Sequence, residues 1–315
     1  MKKASCCGRT SDRRGFKAFL LVDLLFSVLL LSFIFISFFD PFKNGIHLLC
    51  LMRDRRIAHQ RIDTVRAVLD APLRFCALGV PLSAEEYKNA FGSRSGRFFS
   101  WAGPASVVKG KNGAENSCLR LVFAYPAQCR TSAACSAGKE ASFVNFRDKL
   151  NAADFDVDIY DRPGSIKNWV TFANSDPPRA PLTVSGVSEY SLKVKSFDKD
   201  DILIPKGEEL LLLRVMECWA GNDGIFYTND HRASGAQPRE NGICDLRFRL
   251  DGALLTVYVV ARGDNKDLSP GRIEGEEKCT PEILSLWRDA SEYVLYCEKF
   301  VICMPNVLDG YSHSL

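Results

Sequence analysis

One carboxylate is conspicuous for where it sits. Residues 18–39 read AFLLVDLLFSVLLLSFIFISFF, and Asp23 is the sole charged side chain among them. A carboxylate within an apolar helix is costly, and such residues usually mark function, because the group needs a positive or proton-donating partner. The chemistry to expect at Asp23 is therefore charge pairing. The other acidic clusters carry less. Asp154, Asp156 and Asp158 alternate in DFDVDIYD, but an EF-hand loop would need glycine and glutamate where Ile159 and Ser165 stand, so the alternation predicts a strand with an acidic face. Asp198, Asp200 and Asp201, and Asp264 and Asp267, read as turns, with a loop calcium site as the alternative. The histidines are His47, His59, His231 and His313, and no GxSxG, Walker loop, HExxH or dinucleotide glycine pattern occurs. No constellation names a reaction. The expectation is a non-enzymatic protein with no cofactor and no metal.

The element that positions Asp23 is a membrane span. Twenty-two residues cross a hydrocarbon core of roughly 30 Å as a helix. A cleaved secretory signal has a shorter apolar stretch with a small-residue site behind it, whereas this run ends in Phe38-Phe39-Asp40-Pro41. Lys2, Lys3, Arg9, Arg13, Arg14 and Lys17 precede the run, and only Lys43 and Arg53 fall in the 15 residues after it. The positive-inside rule then predicts a cytoplasmic N-terminus and an exported remainder. The net charge is +3, with +5 on residues 1–18 and −1 on residues 40–315, so the exported part offers no large nucleic-acid footprint. Twelve cysteines fit this placement, two of them (Cys6 and Cys7) ahead of the span and ten beyond it, enough for up to five disulfides in an oxidising compartment. Cys129 and Cys135 bracket the short stretch RTSAA and form a candidate bridge. Cys297 and Cys303 have the same spacing but lie in YCEKFVIC, which reads as a strand; six strand residues hold them about 20 Å apart, so each is expected to bond elsewhere unless the strand breaks.

Lys17-Ala18-Phe19-Leu20-Leu21-Val22-Asp23-Leu24 resembles the cleavage motif of type IV prepilins: a basic leader, a small residue before the cut, phenylalanine after it, and an acid at the fifth mature position. The family usually has glycine and glutamate where this chain has Ala18 and Asp23. The resemblance implies cleavage by prepilin peptidase between Ala18 and Phe19, N-methylation of Phe19, and survival of the apolar segment as a stem that packs among other pilin or pseudopilin subunits. Cleavage before Phe19 would also free an α-amine whose charge needs a partner, and Asp23 can supply it. A register at Gly15-Phe16 would put Leu20 fifth and lose the acid. The alternative is a plain anchor whose Asp23 snorkels to the headgroups, in a bitopic inner-membrane binding or sensor protein.

Beyond the span, residues 40–79 continue the helix. Pro41 falls where pilin stems often kink. Ala58, Ile62, Val65 and Leu69 form an apolar stripe, with Arg55, Arg56, Arg61 and Arg66 on solvated faces and His59 exposed. Pro72 and Gly79 close the segment, and Pro72-Leu73-Arg74-Phe75-Cys76-Ala77-Leu78-Gly79 is similar to PilW-type minor pilins and J-type pseudopilins. Residues 80–315 read as a β-rich head, making the fold α+β. Residues 83–116 read as a surface excursion, and 118–125, 166–173, 190–197, 209–218 and 223–228 as strands. Cys244, Leu246, Phe248 and Leu250 alternate with Asp245, Arg247 and Arg249, Asp251-Gly252 makes a turn, and 253–261 return as a central strand. A helix over 281–292, capped by Thr280, and a strand over 293–303 complete the pattern.

Overall fold

An apolar run followed by an amphipathic one folds into a single long helix, α1 (Arg13–Arg74), which continues through Pro41 and carries Pro72 in its last turn. The structure, a computed structural model, describes residues 13–81, 84–91, 101, 103–110, 113–155, 168–196, 201–230, 235–266, 272–288 and 291–307. The chain divides into two compact units, one ending at Arg53 and the other running from Asp54 to Leu315. In the first, apolar side chains from Leu21 to Met52 are exposed along the helix. Its serines leave no hydroxyl unsatisfied: Ser27, Ser32 and Ser37 donate to the carbonyls of Asp23, Val28 and Phe33, four residues back. In an apolar medium this local back-bonding removes the cost of an unpaired hydroxyl. By length and composition α1 can cross a membrane once.

In the second unit the stripe becomes core. Ala58, Ile62, Val65, Leu69 and Leu73 are all at most 1% exposed. Spacings of four, three, four and four keep them on one helix face, and truncating any of the larger ones to alanine would cost about 2–5 kcal/mol. After α1 come α2 (Ala84–Phe91) and the strands β1 (Ala105–Val108), β2 (Cys118–Arg130), β3 (Cys135–Ala137), β4 (Ser142–Asn145), β5 (Trp169–Phe172), β6 (Leu182–Val187), β7 (Ser191–Ser196), β8 (Ile202–Ile204), β9 (Glu209–Ala220), β10 (Ile225–Asn229), β11 (Gln237–Asn241), β12 (Ile243–Asp251), β13 (Leu254–Lys266) and β14 (Ile273–Glu274). The helix α3 (Pro281–Arg288) and β15 (Tyr293–Cys303) follow.

Nine strands form the larger sheet, in the order β1-β2-β9-β5-β6-β7-β4, with β10 and β11 beside β9. The strand β9 organises it. β2 pairs along one edge, while β5 takes Leu210–Leu212 and β10 takes Glu217–Ala220 on the other. Its sequence, ELLLLRVMECWA, is apolar on both faces, as a central strand must be. The smaller sheet is β12-β13-β15-β14, and β3 pairs with β8 as a separate ribbon.

The hairpin and the last strand follow the sequence pattern, with β13 central and β15 spanning residues 293–303. Cys297 on β15 is bridged to Cys279, with Cα atoms 6.0 Å apart, whereas Cys303, also expected to bond elsewhere, is a free, exposed thiol. Several details differ. The two-residue turn is Gly252-Ala253, because Asp251 pairs with Leu254 and the positive φ of 56° falls on Gly252. A positive φ at the first turn residue alone is the pattern glycine serves in hairpins. Asp245, expected on the wet face, is buried. Residues 83–116 are not wholly an excursion, since α2 buries Tyr87 and β1 buries Ala105 and Val107. Arg61 is not solvated, and His59 is only half-exposed, its Nδ1 3.6 Å from Glu298. Asp264, expected in a turn, lies on β13.

Candidate functional site

Two places concentrate functional chemistry. The first is the start of α1. Ala18, Phe19 and Asp23 all fall within the helix, and the described side chains begin at residue 21. Phe19 and Asp23 are four residues apart on the helical backbone, an axial rise of about 6 Å. Asp23 is exposed, and it is the single charged side chain from residue 21 to residue 39.

The candidate bridge pair lies elsewhere. Cys129 and Cys135 are both free thiols packed in the core cluster beneath β5–β7. The Cys129 thiol is 3.3 Å from the Ala127 carbonyl and 3.6 Å from that of Lys149, and it donates to these oxygens rather than meeting its neighbour. Burial raises the pKa of both thiols; at Cys129 the nearby acids, Asp148 first, add to the effect. Cys6, Cys7, Asp156, Asp158, Asp198, Asp200, Asp267, His231 and His313 lie outside the described residues. Asp154 closes a short 3-10 turn, and Asp201 is exposed ahead of β8. No group of three or more potential metal ligands gathers among the described residues.

The second place is a cleft of about 510 Å³ where the β9–β10 turn faces β12, β13 and α3. Its walls carry Asp223, Asp245, Arg247, Arg262, Trp287 and Tyr293. Asp245 is 3% exposed, and its carboxylate is fully occupied. It accepts from the Leu246 amide at 2.8 Å, from Arg247 Nε at 2.9 and 3.1 Å, and from Trp287 Nε1 at 3.4 Å. Arg247 is in turn held by the Glu115 carbonyl at 2.8 Å. Asp223 accepts from the Tyr227 hydroxyl at 2.5 Å, an interaction that raises the phenol's pKa, and Glu292 is paired with Lys266. The Cys244 thiol, also in the wall, is pushed up to about 11 by burial, against the smaller opposing pull of Arg262 and Arg61.

Arg262 is the exception. Its Cζ sits 4.3 Å from the centroid of the Tyr293 ring. Its backbone is fixed on both sides, the amide donating to Gly242 at 2.9 Å and the carbonyl accepting from Arg61 at 2.6 Å. Yet its guanidinium makes no hydrogen bond or ion pair among the described residues. Each carboxylate in the cleft has a donor, and the thiol stays protonated at neutral pH. The arrangement presents a fixed cation beside aromatic surface, not a base beside a nucleophile. Sequence reasoning missed it, because Arg262, Trp287 and Tyr293 share no periodicity and meet only through the β12–β13–β15 sheet and α3.

Compared with known proteins, the chain matches no family model, no curated protein and no solved structure.

Proposed function

We propose that the protein is a minor pilin or pseudopilin subunit, anchored once in the inner membrane with an extracytoplasmic head and then incorporated into a type IV pilus or a type II secretion pseudopilus. The observation that carries this reading is the spacing at the start of α1. A Lys17-Ala18-Phe19 junction stands four residues before the one acid of an otherwise apolar helical run. Cleavage there removes residues 1–18 and creates an α-amine one helical step from Asp23. The exposure of apolar side chains from Leu21 to Met52 adds support, since a helix with that surface needs lipid or neighbouring helices around it. The stripe from Ala58 to Leu73 supports the same reading, because it ties the C-terminal part of α1 into the β-rich unit.

Mass spectrometry after co-expression with a prepilin peptidase tests the proposal. The expected product lacks Met1–Ala18 and begins with a methylated Phe19. Retention of the first 18 residues would exclude the pilin reading.

One observation favours a second reading, a bitopic binding protein. The cleft holds a cation whose guanidinium makes no hydrogen bond or ion pair among the described residues, which suits ligand recognition by the head. The processing experiment separates the two, because a plain anchor keeps its leader.

A further inference from the structure

The geometry points to the Arg262 cleft as a binding site for a carboxylate-bearing saccharide of the uronate type. The inference holds for the head whichever way the chain is anchored. It rests first on a guanidinium whose N–H donors make no hydrogen bond or ion pair among the described residues. Other arginines around the cleft are spent: Arg247 on Asp245 and Glu115, and Arg61 on Arg262 and Asp264. Arg262 has its backbone locked at both ends and its Cζ 4.3 Å from the centroid of the Tyr293 ring, a cation–π contact that uses none of its N–H donors and leaves that fork for a ligand. A carboxylate matches that fork in two parallel hydrogen bonds.

The second observation is what surrounds the cation. Trp287 and Tyr293 both line the cleft and both pack on the core cluster formed by Val260, Ile273, Ile283 and Leu295, so their rings are held in place. Rigid aromatic surface suits the C–H face of a pyranose. Around it stand planar polar groups, Asn222, Asp223 and Glu292, whose oxygens accept from hydroxyls. The Cys244 thiol, its pKa raised by burial, adds no competing negative charge at neutral pH. Aromatic surface, hydroxyl acceptors and one carboxylate fork together describe an acidic sugar better than an acidic peptide, whose recognition would call for backbone pairing or further unpaired cations.

The test uses the full chain in detergent, titrated with trigalacturonate by calorimetry and by tryptophan fluorescence. Saturable binding is expected for trigalacturonate, at least tenfold weaker for a neutral trisaccharide and for Arg262→Gln. Arg262→Lys, which keeps the charge and loses the fork, should fall between. Trp287→Phe should abolish the fluorescence response while leaving part of the heat. Because the Arg262 guanidinium has no hydrogen bond and only its contact with the Tyr293 ring to lose, Arg262→Gln should unfold cooperatively and close to the wild-type midpoint, and that measurement separates lost binding from a lost fold. No saturable heat with trigalacturonate, or equal binding by wild type and Arg262→Gln, would overturn the proposal. So would tighter, Arg262-dependent binding of an acidic tripeptide.

Discussion

Arg61 on α1 donates through Nη1 to the carbonyl of Arg262 at 2.6 Å and through Nη2 to Asp264 Oδ1 at 2.7 Å, joining residues about 200 positions apart in the chain. Two turns earlier on the same helix, buried Asp54 accepts from the Asp264 amide at 3.2 Å and from Asn265 Nδ2 at 2.9 Å. Both contacts fall on the stretch of β13 where its register against β15 shifts, between Arg262 and Lys266. A bulge frees backbone groups from the ladder, and here the helix satisfies them.

Replacing Arg61 with methionine should therefore destabilise the fold by about 1.5–3 kcal/mol, the range for a hydrogen bond made by a charged group. The Asp264 partner is 51% exposed and should contribute under about 1 kcal/mol, so Asp264→Ala should be mild. Chemical denaturation of the full chain in detergent checks the ranking. Equal losses from the two variants would mean that the ion pair, not the carbonyl contact, fixes the helix.

The same dock constrains two glycines. Gly242 has φ of +74°, and an added Cβ would lie 2.6 Å from Arg61 Nη1. Gly263 has an ordinary φ, but its added Cβ would strike Asp54 Cβ, a rigid position on the helix. Gly242→Ala should cost about 1–2 kcal/mol from backbone strain alone. Gly263→Ala should cost about 1–3 kcal/mol from overpacking. Thermal unfolding reads both, and neutral behaviour at Gly263 would mean that α1 and β13 can move apart.

How much of this is visible in the sequence depends on the distance over which each signal acts. The stripe Ala58, Ile62, Val65 and Leu69 announces itself by spacing, and so does the β12–β13 hairpin, because both patterns are local. Arg61 has the same local context as Arg55 and Arg56, which are exposed; what distinguishes it is Arg262, which no period can reveal. Asp245 reads as wet by alternation, yet Arg247 and Trp287 satisfy it in the interior. Tyr87 and β1 are hidden inside a Gly-, Ser- and Lys-rich stretch, where composition outweighs a few apolar residues. At the candidate cleavage site the reverse holds, since the junction and Asp23 are consecutive sequence and are legible without the fold.

The disulfide between Cys279 and Cys297 closes a separation of 18 residues around α3. Cross-linking a loop of that size restricts the unfolded chain by about 3 kcal/mol. The double variant Cys279→Ser/Cys297→Ser should lose roughly that much, and peptide mapping without reductant should recover the two half-cystines in one linked fragment. Separate peptides would remove the bridge from the structure.

The remaining thiols give a pH prediction. Burial raises Cys76 to about 12 and Cys244 to about 11, from an ordinary value of 9.0. A folded-state pKa above the unfolded one contributes stability that is complete below the unfolded value and lost as pH rises through the folded one. Stability should therefore hold up to about pH 9 and decline towards pH 11–12, because a tenfold difference in a thiol's acidity between the folded and unfolded chain is worth about 1.4 kcal/mol. Cys244→Ser should flatten the part of the decline nearest pH 11. In alkylation at pH 8, exposed Cys303 should react well before Cys76 and Cys244. Rapid labelling of Cys76 in the folded chain would contradict its burial.

Asp23 offers the sharpest separation of causes. The amine proposed as its partner exists only after the bond between Ala18 and Phe19 is cut, so the carboxylate cannot act through that pairing beforehand. Asp23→Ala should leave removal of residues 1–18 intact while lowering entry into filaments at least tenfold, equivalent to about 1.4 kcal/mol of lost pairing per subunit. Asp23→Glu keeps the charge on a longer arm and should assemble, whereas Asp23→Asn keeps the shape without the charge and should fail with alanine. Quantifying cleaved subunits in membrane and sheared-filament fractions reads both steps from one culture. Normal assembly of the alanine variant would leave the acid without its proposed partner. An assembly defect in the glutamate variant as deep as in asparagine would point to packing around Asp23 rather than to its charge.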